Sequence, residues 1–273
     1  MTGEPIGLFD SGVGGLSIVR EVRRLLPHEN LLFVADQAHV PYGPRPLGQV
    51  RSFSEEITRF LLTQKARAIV VACNTASAAA LHPLRDRFPG VPFVGMEPAV
   101  KPAVQASRSG VVGVLATPAT FQGELFASVV ERFAAGVRVL QKTVPGLVER
   151  IEAGDLDGEA TRQLLQTAVE PLLSQGADTI VLACTHYPFV IPLLRSVVGD
   201  SVQVIDPSPA IARQVKRVME EKGTGRTDGV RGDAVICTSG DPDKLRAWVR
   251  AVLGDFGRVE PVHWEDERLL NAD

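Results

Sequence analysis

Short apolar runs alternate along the chain with stretches of helical period. Residues 6–9, 31–35, 68–72 and 93–95 are apolar runs of strand length, separated by helical patterns such as 16–26 and 53–62. In the first helical stretch Leu16, Val19, Leu25 and Leu26 gather on or near one face. Arg20, Glu21, Arg23 and Arg24 are expected to stay solvated, and Pro27 ends the helix. This βαβα order predicts a parallel sheet.

The pattern restarts after the proline-containing stretch 97–102. Strands are predicted at 110–116, 137–142, 179–183 and 202–205, and helices at 121–135, 158–175 and 189–198. Beyond Asp206-Pro207, a helix at 208–221, a strand at 234–238 and a helix at 242–253 are too little for a third domain, so they are expected to rejoin the first. The fold class is therefore α/β with two domains, 1–97 plus 207–255 and 98–206. Residues 223–232 read as a mobile loop and 256–273 as a polar tail.

Composition narrows the class of ligand. The 273 residues are 45% hydrophobic and 22% charged, with a formal net charge of −3. Basic side chains are scattered, which offers no cationic patch to nucleic acid or to a membrane surface. A small-molecule ligand is the expectation. No leader-like start and no apolar window near the ~18 residues of a membrane span are present, so a cytoplasmic protein is expected. The cysteines, Cys73, Cys184 and Cys237, are odd in number and read as free thiols in a reducing compartment.

Two of these cysteines sit in nearly twin segments. Ala68-Ile69-Val70-Val71-Ala72-Cys73-Asn74-Thr75 and Thr179-Ile180-Val181-Leu182-Ala183-Cys184-Thr185-His186 each run from an apolar strand into a thiol and then into small polar groups. The strands ending at Asp10-Ser11 and at Thr117 precede them at similar intervals, which favours duplication. In parallel α/β sheets the loops after the strands build the binding crevice, so two facing halves would set both thiols about one cleft. Paired acid/base groups across a small substrate can take a proton from one face and return it on the other.

Plainer readings stand beside these. A lone cysteine after a strand is commonly a small buried hydrophobe, and Cys237, without a matching partner, reads that way. His186 could be an ordinary loop histidine, yet an imidazole near Cys184 can relay a proton or favour its thiolate. Asp10 and Ser11 could simply cap the following helix. At a cleft, Asp10 could also pair with a substrate ammonium or orient a thiol. The turn 12–15 lacks both the Gly-Lys-Ser/Thr ending and the full dinucleotide spacing, leaving a weak nucleotide signal. Its glycines more simply allow a tight turn and close approach to a small ligand. Pro41-Tyr42-Gly43-Pro44 reads as a rigid turn able to border the same cleft.

Four segments in order, residues 7–15, 40–45, 72–77 and 183–188, resemble the signatures of the cofactor-independent aspartate/glutamate racemase family, and of its glutamate-acting members in particular. The resemblance runs from about Ile6 to about Glu221. It implies two pseudo-symmetric α/β domains with the active site in the cleft between them, commonly in a homodimer. It also implies interconversion of L- and D-glutamate for peptidoglycan synthesis without a cofactor or metal. Cys73 and Cys184 match the two acid/base thiols, and Asp10, His186 and Glu152 the assisting polar groups. Asp10-Ser11, Tyr42-Gly43, Asn74-Thr75 and Thr185-His186 match substrate-binding pairs, with Thr117 and Thr120 as further contacts. Val144-Pro145 departs from the Cys-Pro of many relatives, which bears on local packing only.

Other classes are weighed against this. A metal-dependent hydrolase could recruit Cys73, Cys184 and His186, although no CxxC or HxxxH spacing supports it. A nucleotide-binding or redox-sensing module could use the 12–15 turn and the thiols. Aspartate stays open as a substrate, since side-chain selectivity does not follow from spacing.

Overall fold

The computed structural model describes residues 4–223, 225–226 and 229–272. In chain order the first elements are β1 (Ile6–Asp10), α1 (Leu16–Leu25), β2 (Leu31–Ala35), α2 (Leu47–Thr63), β3 (Ala68–Val71), α3 (Asn74–Arg87) and β4 (Phe93–Gly95). The middle of the chain forms α4 (Val100–Ala106), β5 (Val111–Ala116), α5 (Pro118–Gln122), α6 (Glu124–Phe133) and β6 (Arg138–Thr143). It continues through α7 (Leu147–Glu152), α8 (Glu159–Leu173), β7 (Thr179–Ala183), α9 (Ile191–Val198) and β8 (Gln203–Ile205). Last come α10 (Ser208–Glu221), β9 (Ala234–Thr238), α11 (Pro242–Leu253), β10 (Arg258–Glu265) and β11 (Arg268–Asn271).

Two compact units result. One comprises the described residues up to Met96 together with those from Ser208 onward, and the other spans Glu97–Pro207. The first holds a seven-stranded sheet in the order β11-β10-β9-β2-β1-β3-β4, parallel except where β11 pairs antiparallel with β10. The second holds a four-stranded parallel sheet, β6-β5-β7-β8. The α/β class with mainly parallel sheets is thus as the pattern predicted.

Every residue of β1, β2, β3, β5, β7 and β9 is buried. That is why these segments read as unbroken apolar runs: helices cover both faces of a parallel sheet, and each fully buried large aliphatic or aromatic side chain stabilises by about 1.5–3 kcal/mol. In the first unit α1 packs with α10 and α11, and α2 with α3. In the second, α8 packs with α7 and α9, and α4 with α6. Among the described residues no helix is long and apolar enough to cross a membrane.

Two expectations are corrected. Arg23 is buried rather than solvated; its Nη1 donates to the Pro27 carbonyl at 2.8 Å and its guanidinium lies 3.8 Å from the centre of the Phe256 ring. The arginine stem covers apolar surface while its head finds acceptors. Residues 256–273, read as a polar tail, instead supply β10 and β11, with Asp273 outside the described residues. Only one face of this hairpin is covered, through Val262 and Leu269, so its polarity hid it. Its two-residue turn, Asp266-Glu267, has positive φ at both positions (44° and 62°) without the usual Asn-Gly signal. In the loop expected at 223–232, Thr224, Thr227 and Asp228 lie outside the described residues. Arg226 there bonds Glu29 and Asn30.

Candidate active site

Parallel strands deliver the first unit's polar residues to one edge of its sheet. Asp10 ends β1, Asp36 follows β2, and Cys73 follows β3 after Ala72. Backbone bonds from Asp36 N to Asp10 O (2.9 Å) and from Ala72 N to Phe9 O (2.8 Å) extend the strand register into these loops. Asp10 is fully buried, and its Oδ1 accepts the Ser11 backbone N–H at 2.6 Å and the Ser11 hydroxyl at 3.2 Å. Gly15, at the end of the turn that follows, packs back onto Phe33 and the Asp10 Cβ. A Cβ on Gly15 would come 2.5 Å from Phe33 Cε2 and 2.8 Å from Asp10 Cβ. At position 15 glycine thus permits a close approach to Phe33 and Asp10. Gly15→Ala is expected to cost about 1–3 kcal/mol in urea denaturation, because a packed core must shift to admit the methyl group.

Cys73 is the extended residue capping the N-terminus of α3, with φ −144° and ψ 123°, and its carbonyl accepts the Ser77 N–H at 2.8 Å. The backbone N–H groups of the first turn point toward this place, and with the helix dipole they favour negative charge there. Asn74 and Thr75, the first residues of α3, are buried. Neither Oδ1 nor Nδ2 of Asn74 has a hydrogen-bond partner among the described residues. A buried amide left unpaired costs about 1–3 kcal/mol per group, a strain that a polar ligand would relieve.

Tyr42 and Gly43 lie buried in the loop after β2. The Tyr42 hydroxyl donates to Asp36 Oδ2 at 2.6 Å. Burial, then the charge and hydrogen bond of Asp36, then Cys73 and Asp10 hold its pKa well above the ordinary phenol value, so it remains an O–H donor. Asp36 was not singled out from the sequence. A signal was present, because it follows strand 31–35 as Asp10 closes the preceding one.

The second unit repeats the plan. Ala116 of β5 pairs with Ala183 of β7, which sets Thr117 and Cys184 side by side one residue later. Thr117 caps α5, its Oγ1 lying 2.9 Å from Thr120 Oγ1 and accepting Thr120 N–H at 3.3 Å. Cys184, Thr185 and His186 are buried. His186 Nδ1 is 4.0 Å from Cys184 Sγ, while Nε2 is 2.6 Å from Glu152 Oε1 at the end of α7. Burial opposes a charge on this imidazole, but the hydrogen bonds and negative charges of Cys184 and Glu152 outweigh it and hold the pKa well above the usual histidine value. The result is a sulfur–imidazolium–carboxylate chain. The chain's two tyrosines are divided between the thiols, with Tyr187 also pushed up by burial, Cys184 and Glu149.

All three cysteines are buried and outside any disulfide. Cys237 in β9 is pushed up to about 12 by burial and by Glu260, which keeps it a neutral core thiol. Among the described residues no three His, Cys, Asp or Glu side chains gather in a metal-holding group.

A parallel α/β scaffold with a buried thiol and small hydroxyls at the strand ends of each unit, Asp10 beside β1 in one and the His186–Glu152 pair in the other, is of a kind suited to enzymatic acid/base chemistry. The chain belongs to the Asp/Glu/hydantoin racemase family, whose model matches residues 16–215. It is therefore an isomerase, and the family resemblance read from the motifs is borne out. It is 53% identical to glutamate racemase of Roseiflexus sp. (strain RS-1) over 257 residues, 94% of each chain. It also resembles the crystal structure of glutamate racemase isoform RacE1 from Bacillus anthracis, with a TM-score of 0.88 and 29% identity over 98% of this chain and 100% of that one. A crystal structure of Escherichia coli glutamate racemase in complex with L-glutamate and the activator UDP-MurNAc-Ala matches at a TM-score of 0.83 and 28% identity, covering 99% of this chain and 100% of that one.

Proposed function

We propose that this isomerase interconverts L- and D-glutamate by a two-base proton transfer in which Cys73 and Cys184 address opposite faces of the α-carbon. One thiolate accepts the α-proton while the other thiol donates its own, so the resting cysteines differ in protonation state. Cys73 acts on the D-enantiomer and Cys184 on the L-enantiomer, with roles reversing in the other direction. Asp10 assists Cys73; His186, braced by Glu152, assists Cys184. Ser11, Tyr42-Gly43, Asn74-Thr75, Thr117, Thr120 and Thr185 hold the substrate, and the amides and hydroxyls among them stabilise charge building on its carboxylate.

The observation that carries this reading is the duplicated plan. Strand orders β2-β1-β3-β4 and β6-β5-β7-β8 match position for position, and in each the strand third in that order leads into a buried thiol. The orphaned Asn74 amide adds a place for a polar ligand. Glutamate is preferred over aspartate because glutamate racemases are the relatives that this chain matches across nearly all its length. The reading includes a cytoplasmic homodimer that supplies D-glutamate for peptidoglycan.

Incubation with L-glutamate in deuterated water, without added cofactor, tests the reaction. Optical rotation should decay to zero, and α-deuterium should appear in the D-enantiomer ahead of the remaining L-enantiomer, since the donated proton comes from a solvent-exchanged thiol. Activity on aspartate alone would replace the substrate, and inversion that retains the original α-proton would exclude two bases.

A further inference from the structure

The β10–β11 hairpin reaches the loop that carries Tyr42. Trp264, in β10 and paired with Leu269 of β11, donates its indole N–H to Asp36 Oδ1 at 2.7 Å. The same carboxylate accepts the Ser239 hydroxyl on Oδ1 (2.8 Å) and Tyr42 O–H on Oδ2 (2.6 Å), with His39 Nδ1 2.9 Å from Oδ2. Rings close the same assembly. His39 stacks on Phe53 at 3.9 Å between centroids, and Trp264 meets His39 edge-on at 5.0 Å. Asp36 is fully buried, so each donor removed leaves buried carboxyl oxygens less well satisfied.

We infer that Trp264 is a positioning residue for the Pro41-Tyr42-Gly43 turn, acting through Asp36, and that the C-terminal hairpin thereby tunes substrate binding. Asp36 fixes the Tyr42 ring from one oxygen and is itself fixed from the other by Ser239, just after β9, and by Trp264 of β10. Arg45 ties the rest of the turn down, its Nε donating to the His39 carbonyl at 2.8 Å and its N–H to the Tyr42 carbonyl at 3.0 Å. Loosening Trp264 frees the carboxylate and with it the turn. The inference rests on the racemase reading, in which Tyr42-Gly43 touches the substrate.

The test compares Trp264→Phe, which keeps an aromatic ring but loses the donor, with Leu269→Val, which trims the buried side of the same hairpin. Trp264→Phe should raise KM for glutamate about tenfold with kcat within about twofold, as a ground-state binding loss does. Amide exchange over residues 37–44, followed by mass spectrometry, should accelerate by a similar factor. Leu269→Val should lower the urea midpoint while leaving KM and that exchange unchanged. If Trp264→Phe does not fold, Ser239→Ala, which removes the other donor to Oδ1, must raise KM and exchange in the same way. Unchanged exchange in Trp264→Phe overturns the inference, as does faster exchange with unchanged KM or an equal KM rise in Leu269→Val. A wild-type enzyme inactive on glutamate sinks the racemase reading instead, and exchange then still decides whether Trp264 orders the turn.

Discussion

Cys73→Ser and Cys184→Ser each lower kcat/KM for glutamate by at least about a thousandfold, since a hydroxyl is too weak an acid to serve as the resting thiolate or to share its proton at neutral pH. The loss must be equal in both directions whichever cysteine is changed, because the enantiomers have equal free energy and so equal kcat/KM. Direction-specific roles therefore have to be read from exchange rather than from rates. In deuterated water, residual α-exchange should be confined to L-glutamate in Cys73→Ser, where Cys184 still works, and to D-glutamate in Cys184→Ser. Circular dichroism would follow inversion and mass spectrometry the exchange. Near-normal inversion by either variant removes the two-thiol mechanism, while the reverse exchange pattern keeps the mechanism and swaps the assignment. Both variants should fold, since Cys73 and Cys184 lie in loops after β3 and β7 rather than within strands.

What the sequence disclosed follows from how each part is buried. Strands enclosed on both faces, such as β7, appear as continuous apolar runs, and the thiols after β3 and β7 are visible because a polar loop begins at each. The repeat was legible for the same reason: both halves use the same strand-to-loop switch. Asp36 was passed over because its loop lacks a thiol or a repeated motif. Its importance lies in the four side chains that converge on it, from positions 39, 42, 239 and 264. The hairpin of Trp264 was read as a tail because β10 and β11, at the margin of the sheet, bury one face only, and half of its residues are polar for that reason. Glu152 carried no signal of its own; its place came from family resemblance, and its contact with His186 depends on how α7 packs. No periodicity expresses that.

His186→Asn lowers kcat/KM about a hundredfold and removes one limb of the pH–rate profile. The imidazole is protonated at neutral pH because Cys184 and Glu152 outweigh the burial that opposes its charge, and its Nδ1–H points at the sulfur on which negative charge must sit. Wild-type turnover should therefore decline on the alkaline side as His186 loses its proton. In His186→Asn, which keeps an N–H but no charge, that limb is absent. Glu152→Gln keeps a hydrogen-bonding partner for Nε2 while deleting the carboxylate charge. It should move the alkaline limb toward neutrality with only about a tenfold loss of rate. Stability follows the same sign. A histidine whose folded pKa is raised contributes stability that is fully present below about 6.5, its unfolded value, and is lost as pH rises through the folded pKa. The urea midpoint of Glu152→Gln should thus fall furthest below wild type in mild acid and converge with it in alkali. A gap that widens with pH would mean that the pair is held as neutral imidazole, and the proton relay to Cys184 would need another donor.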